Sequence, residues 1–234
     1  MNAPERTRIK ICGLTREQDV DAAVAAGADA VGFIMYEKSP RHVTIERAAQ
    51  LAARLPIFMV PVLLFVNETP ARVVQCLDEL PNAAVQFHGD ETPQQCVEST
   101  RNGLHPHIRA ARIPLDGSPF DLVRFANEHA RARAILLDAH VEGYGGAGKA
   151  FDWSRLPQNV NAHLVLSGGL TPANVTDGIV QVRPRCKSLA VDVSSGVEAS
   201  KGVKDPEKII QFVSAVRAAD ALLARSPHAV LPAT

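Results

Sequence analysis

Ile9-Lys10-Ile11-Cys12-Gly13-Leu14-Thr15 reads as a short buried strand ending in a thiol, then a glycine, then a helix-initiating threonine. A thiol at the carboxyl end of a parallel strand points to where α/β proteins keep their active sites. The pattern recurs at Ala134-Ile135-Leu136-Leu137-Asp138, an apolar run that ends in a carboxylate. Moving outward from these two, further strand candidates fall at residues 30–34, 62–66, 84–88, 108–111, 164–167 and 188–193. Helical spacing separates them. Val20, Ala23, Val24 and Gly27 share one face, as do Ile45, Ala48, Ala49, Ala52 and Leu55. Thr44 and Thr171 precede helical patterns as N-caps, and Pro172 suits a first helical position. The strand runs are continuously apolar rather than alternating, which implies a parallel sheet covered on both faces. Eight βα units in about 220 residues fit a (β/α)8 barrel, a TIM barrel of the smaller kind. A doubly wound open sheet shares this periodicity. Pro61 would break a ladder, so the third strand is expected to start at Val62. No linker interrupts the pattern, so residues 1–234 read as a single domain. Residues 1–7 form a short polar lead, and a C-terminal extension runs from about 224 to 234.

Composition narrows the partners. Hydrophobic residues make up 46%, enough for a sizeable core, and 25 basic residues balance 25 acidic ones. Without a basic stripe, nucleic acid is not an expected partner and a small molecule is. Cys12, Cys76, Cys96 and Cys186 are too far apart in sequence for CxxC chemistry, and the chain is too long to need disulfides. A reducing cytoplasm is the expected home. The first eight residues lack an apolar stretch, and the longest apolar run, 55–66, is too short to span a bilayer. No membrane is expected as partner.

Two turns follow the last two strands. Ser167-Gly168-Gly169-Leu170-Thr171 and Asp192-Val193-Ser194-Ser195-Gly196-Val197-Glu198 lie where barrels often hold a substrate phosphate. Gly168, Gly169 and Gly196 let backbone N–H groups approach an anion. Gly143-Tyr144-Gly145-Gly146-Ala147-Gly148-Lys149 satisfies the P-loop pattern GxxxxGK. However, Ala150 stands where a magnesium-binding hydroxyl is needed, and Pro157 leaves no room for the long helix. A glycine-rich loop able to cover a substrate beside Asp138 is the better account. Lys38-Ser39-Pro40-Arg41 follows the second strand, and Arg41 can grip a carboxylate. Gln86 and His88 share one face of the fourth strand, either at the barrel mouth or in the core. No histidine pairs with carboxylates at metal-ligand spacing, so no metal and no cofactor are expected.

Together, Lys10-Ile11-Cys12-Gly13-Leu14-Thr15, Lys38-Ser39-Pro40-Arg41, Val85-Gln86-Phe87-His88-Gly89, Leu137-Asp138, the glycine loop through Phe151-Asp152-Trp153, and the two phosphate-type turns resemble the phosphoribosylanthranilate isomerases of tryptophan biosynthesis. Ala147 and Ala150 stand where that family usually carries threonine. The resemblance implies an Amadori rearrangement of a phosphosugar. Cys12 would be the general base and Asp138 the general acid. Arg41 would hold the anthranilate carboxylate, with Gln86 and His88 also contacting substrate. The backbone around Gly168, Gly169, Ser194, Ser195 and Gly196 would hold the phosphate. A free cysteine is mostly protonated at neutral pH. A base at position 12 is therefore expected to sit in positive potential that lowers its pKa. The related histidine-pathway isomerase uses a carboxylate at the first strand, and the thiol separates the two. A barrel that binds phosphosugar without turnover is a further alternative.

Overall fold

The apolar runs form a closed barrel of eight parallel strands in sequence order, so the open sheet is excluded. The strands are β1 (Arg8–Cys12), β2 (Ala30–Ile34), β3 (Val60–Phe65), β4 (Ala84–Phe87), β5 (His107–Pro114), β6 (Ala134–His140), β7 (His163–Leu166) and β8 (Ser188–Val193). The computed structural model describes residues 6–140 and 151–225. The glycine-rich loop from Gly143 to Lys149 and most of the C-terminal extension lie outside the described residues. Helices α1 (Glu17–Ala26), α2 (Ile45–Ala52), α3 (Pro70–Glu79), α4 (Pro93–Ser99), α5 (Leu122–Glu128), α6 (Val175–Val182) and α7 (Pro206–Arg225) cover the barrel. Between β6 and β7 the described residues hold one 3₁₀ turn, Trp153–Arg155, in place of a helix. After β8 a small antiparallel hairpin, β9 (Glu198–Ser200) and β10 (Val203–Lys204), precedes α7.

Each strand buries both faces, which is why its sequence runs apolar without alternation. Outward-facing Ile9, Ile11, Val31, Phe33, Leu63 and Phe65 pack with helix residues such as Val20, Leu51 and Phe212 in one large cluster. The inward faces form separate small clusters: Cys12, Ile34, Leu64 and Val66 in one, Ala110, Leu136 and Val165 in the other. An eight-stranded barrel leaves only enough room inside for such side chains to fill it.

Local capping signals hold at some helix starts and yield to tertiary contacts at others. Thr44 caps α2, its hydroxyl accepting from Arg47 N–H at 3.2 Å. Thr15 does not start α1. The N-cap is Arg16, and the Thr15 hydroxyl instead donates to the Gly202 carbonyl. Nor do Thr171 and Pro172 open α6, which begins at Val175. Asn174 turns back instead, accepting from Thr171 N–H at 2.8 Å and donating to the Gly169 carbonyl at 3.0 Å. Pro61 lies inside β3, paired with Val31. The ladder survives for a geometric reason. Val60 N–H donates toward β2, to the Asp29 carbonyl, so the Pro61 nitrogen faces β4, whose pairing starts only at Val62 with Ala84.

Thr7 is buried, and its N–H donates to Asp220 on α7, tying the first strand to the last helix. On the outer face of β5, buried Arg109 donates to the carbonyls of Phe87 and Gly89, at 3.3 and 3.1 Å, bracketing His88. His107 and His129 are buried near that guanidinium. Burial, reinforced by the positive charge of Arg109, pushes both imidazoles down to about 4. An unfolded chain protonates these histidines near 6.5, whereas the folded chain resists until about 4. The unfolded state therefore takes up more protons across that window, and stability falls as pH drops through it. The urea midpoint should decline from pH 6.5 to 4, and less steeply in His129→Gln. Equal slopes would remove His129 from the cause.

Candidate active site

The polar residues of the barrel interior gather at the carboxyl ends of the strands. Cys12 ends β1 and is almost fully buried. Two residues earlier, Lys10 turns into the same interior, where its Nζ lies 2.9 Å from Asp192 Oδ1 of β8. The Ser167 hydroxyl, just after β7, reaches the other oxygen of Asp192 at 3.4 Å. Burial is the largest influence on Cys12 and pushes its thiol up. Lys10 and Lys204 pull in the opposite direction without prevailing. The sequence-based expectation of a lowered thiol pKa is thus corrected for the protein without substrate: the positive charges are present, but desolvation outweighs them.

Across the mouth, Gln86, His88 and Asp138 form a chain. Gln86 Nε2 donates to His88 Nδ1 at 3.1 Å, which places the proton of a neutral ring on Nε2, and that atom lies 2.9 Å from Asp138 Oδ2. His88 therefore belongs to the barrel mouth and not to the core. Asp138 Oδ1 accepts from the Ala139 N–H at 2.9 Å. Gly168 packs against this carboxylate from the turn after β7. Its φ of +73° is a left-handed conformation, and a Cβ there would lie 2.7 Å from Asp138 Oδ1 and from Ala139 N. Only glycine fits both requirements.

Arg41 is also buried at the mouth, but its fork is engaged. Nε and Nη2 donate to Glu198 Oε1 and Oε2 at 2.7 and 2.8 Å. This bidentate pair was not foreseen from the sequence. Glu198 also receives Lys204 Nζ at 2.9 Å, and that ammonium donates as well to the Ser194 carbonyl at 2.9 Å. The carboxyl group of Glu198 experiences burial, which raises its pKa, but Arg41 and Lys204 hold it below the usual range. Lys204 escaped notice because nothing in Ser200-Lys201-Gly202-Val203-Lys204 separates a buried lysine from its exposed neighbour Lys201. Only the hairpin register turns Lys204 inward.

The two glycine and serine turns come where expected. Gly168 and Gly169 follow β7 with consecutive left-handed φ values, and Ser195 and Gly196 form a 3₁₀ turn after β8. Gly196 lies so close to the Leu170 carbonyl that a Cβ would overlap it at 1.9 Å, so the two turns touch. Backbone N–H groups of Gly168, Gly169, Ser195 and Gly196 find no acceptor among the described residues.

Comparison with known proteins gives the family of the chain. The family model for N-(5'-phosphoribosyl)anthranilate isomerase matches residues 9–215. The chain belongs to this family. An N-(5'-phosphoribosyl)anthranilate isomerase of Leptothrix cholodnii is 58% identical over 219 residues, covering 94% of each chain. The crystal structure of phosphoribosyl anthranilate isomerase from Thermotoga maritima is similar with a TM-score of 0.79 and 38% identity, over 91% of this chain and 99% of that one. A further phosphoribosyl anthranilate isomerase structure contains reduced 1-(o-carboxyphenylamino)-1-deoxyribulose 5-phosphate. It is similar with a TM-score of 0.76 and 36% identity, over 91% of this chain and 99% of that one. Among the described residues no helix is long and apolar enough to cross a membrane.

Proposed function

We propose that this chain converts N-(5-phosphoribosyl)anthranilate to 1-(2-carboxyphenylamino)-1-deoxyribulose 5-phosphate, in the cytoplasm, by general acid and base catalysis. The observation that carries this is the family membership together with Cys12 at the end of β1 and Asp138 two residues before the end of β6. Asp138 gives its proton to the furanose ring oxygen while the substrate nitrogen pushes its lone pair toward C1. The ring C–O bond breaks and an iminium forms. Cys12, as thiolate, removes the C2 proton to give an enolamine, which tautomerises to the ketone. Each proton transfer by a placed side chain contributes about 10²–10⁴-fold. His88, aimed by Gln86, orients the Asp138 carboxyl for the first step.

The backbone N–H groups of Gly168, Gly169, Ser194, Ser195 and Gly196 would hold the phosphate, supported by the Lys204 ammonium beneath Ser194. With Nε and Nη2 of Arg41 held by Glu198, Nη1 remains to receive the anthranilate carboxylate. Glu198 thereby fixes the direction of the guanidinium. Losing a charge-assisted hydrogen bond costs about 1.5–3 kcal/mol, so Arg41→Ala should raise KM roughly 10- to 150-fold while kcat changes less. An unchanged KM would remove the carboxylate role.

The reading as a whole is tested by a coupled fluorescence assay. Anthranilate, phosphoribosyl pyrophosphate and the upstream transferase generate the adduct, and its decay is followed after adding this protein. Decay no faster than the spontaneous rate would overturn the proposal and favour a barrel that binds phosphosugar without turnover.

A further inference from the structure

We propose that Lys10 is a positioning residue that sets the ionisation of Cys12, with Asp192 acting as its restraint. The inference deepens the reading of Cys12 as the base and rests on it.

The geometry is specific. Lys10 and Cys12 leave β1 on the same inward face, paired in register with Ala30 and Gly32 of β2. A Cβ at Gly32 would lie 2.7 Å from the Cys12 Sγ and 3.0 Å from the Lys10 Nζ, so both heads crowd over one glycine and lie side by side. Lys10 is 4% exposed, and no packing need calls for an ammonium in that place. Its fixed partner is Asp192, 2.9 Å away and equally buried.

Charge counting assigns the roles. Cys12 is faced by Lys10 of its own strand, Asp192 of β8, Lys204 of the hairpin, and the Arg41–Glu198 pair joining the loop after β2 to β9. These are three cations and two carboxylates, an excess of one positive charge that a thiolate would neutralise. Without Lys10, the cluster starts balanced and a thiolate leaves a buried net negative charge. Without Asp192, the excess is larger and the Lys10 ammonium is free to face the sulfur alone. Lys10 is held in the charged form despite its burial, because Asp192 and Cys12 both favour the ammonium. The pair therefore works as an adjustable counter-charge, and its two members push the thiol in opposite directions.

The test is thiolate absorbance near 240 nm against pH on the full chain, with the Cys12→Ser spectrum subtracted in each background to isolate this sulfur. Lys10→Met should move the Cys12 midpoint up by about one pH unit or more, and Asp192→Asn should move it down. Lys10→Arg should restore a midpoint near wild type. If Lys10→Met fails to fold, the Asp192→Asn arm still decides, because the charge argument demands a downward shift there. Midpoints that stay put, or that move the same way in both variants, would overturn the inference. Since absorbance reads the thiol and not turnover, an active Cys12→Ser variant would sink the base assignment while these shifts judge Lys10 separately.

Discussion

Cys12→Ser leaves the barrel intact and lowers kcat by about 10²–10⁴-fold, the usual scale for loss of a general base. Serine occupies nearly the same volume, and the site is a small cluster with Ile34, Leu64 and Val66, so packing changes little. What changes is basicity: a hydroxyl beside the Lys10 ammonium stays protonated across the physiological range and cannot take the C2 proton. KM should move far less than kcat, because the interaction lost is one made during proton removal. Steady-state kinetics with a thermal melt as control check this. Turnover near the wild-type rate in a folded variant would remove Cys12 from the mechanism.

Asp138→Asn has an effect of the same order for the complementary reason. An amide keeps the shape that contacts Gly168 and the Ala139 N–H, yet it has no proton to give the ring oxygen. Its one oxygen can accept from His88 Nε2–H or from the Ala139 N–H but not from both, so one of these hydrogen bonds is lost, while the affinity for a product analogue should change far less than kcat. Expected is a drop in kcat of about 10²–10⁴-fold. The double variant with Cys12→Ser should fall well short of the multiplied losses, as groups acting in one reaction sequence do. Turnover near the wild-type rate in a folded variant would assign the acid role elsewhere. Measuring analogue affinity alongside separates lost chemistry from lost binding.

Much of this was legible in the chain. Strand positions were readable because burial on both faces leaves continuous apolar runs, and the start of α2 was readable because the Thr44 hydroxyl caps it. The shared rim of Cys12 and Asp138 was legible for a related reason: both end such runs, and parallel strands deliver their last side chains to one end of the barrel. Cap signals failed at Thr15 and Thr171, where a hydroxyl or a nearby asparagine found a stronger partner in the fold. Pro61 misled because the side of a strand its missing N–H faces depends on where the neighbour begins pairing.

The sequence by itself determined the eightfold alternation, the order of the motifs and which strand ends carry sulfur or carboxylate, since these depend on hydrophobic period and chain order. Tertiary structure alone decided what those groups touch. Glu198 occupying the Arg41 fork, Lys204 beneath Ser194, Arg109 bracketing His88 and Asp192 restraining Lys10 join residues that closure of the barrel brings together from distant positions. Desolvation follows the same rule. Whether a charge is costly, paired or useful depends on what closes around it in three dimensions, and no local window of sequence records that.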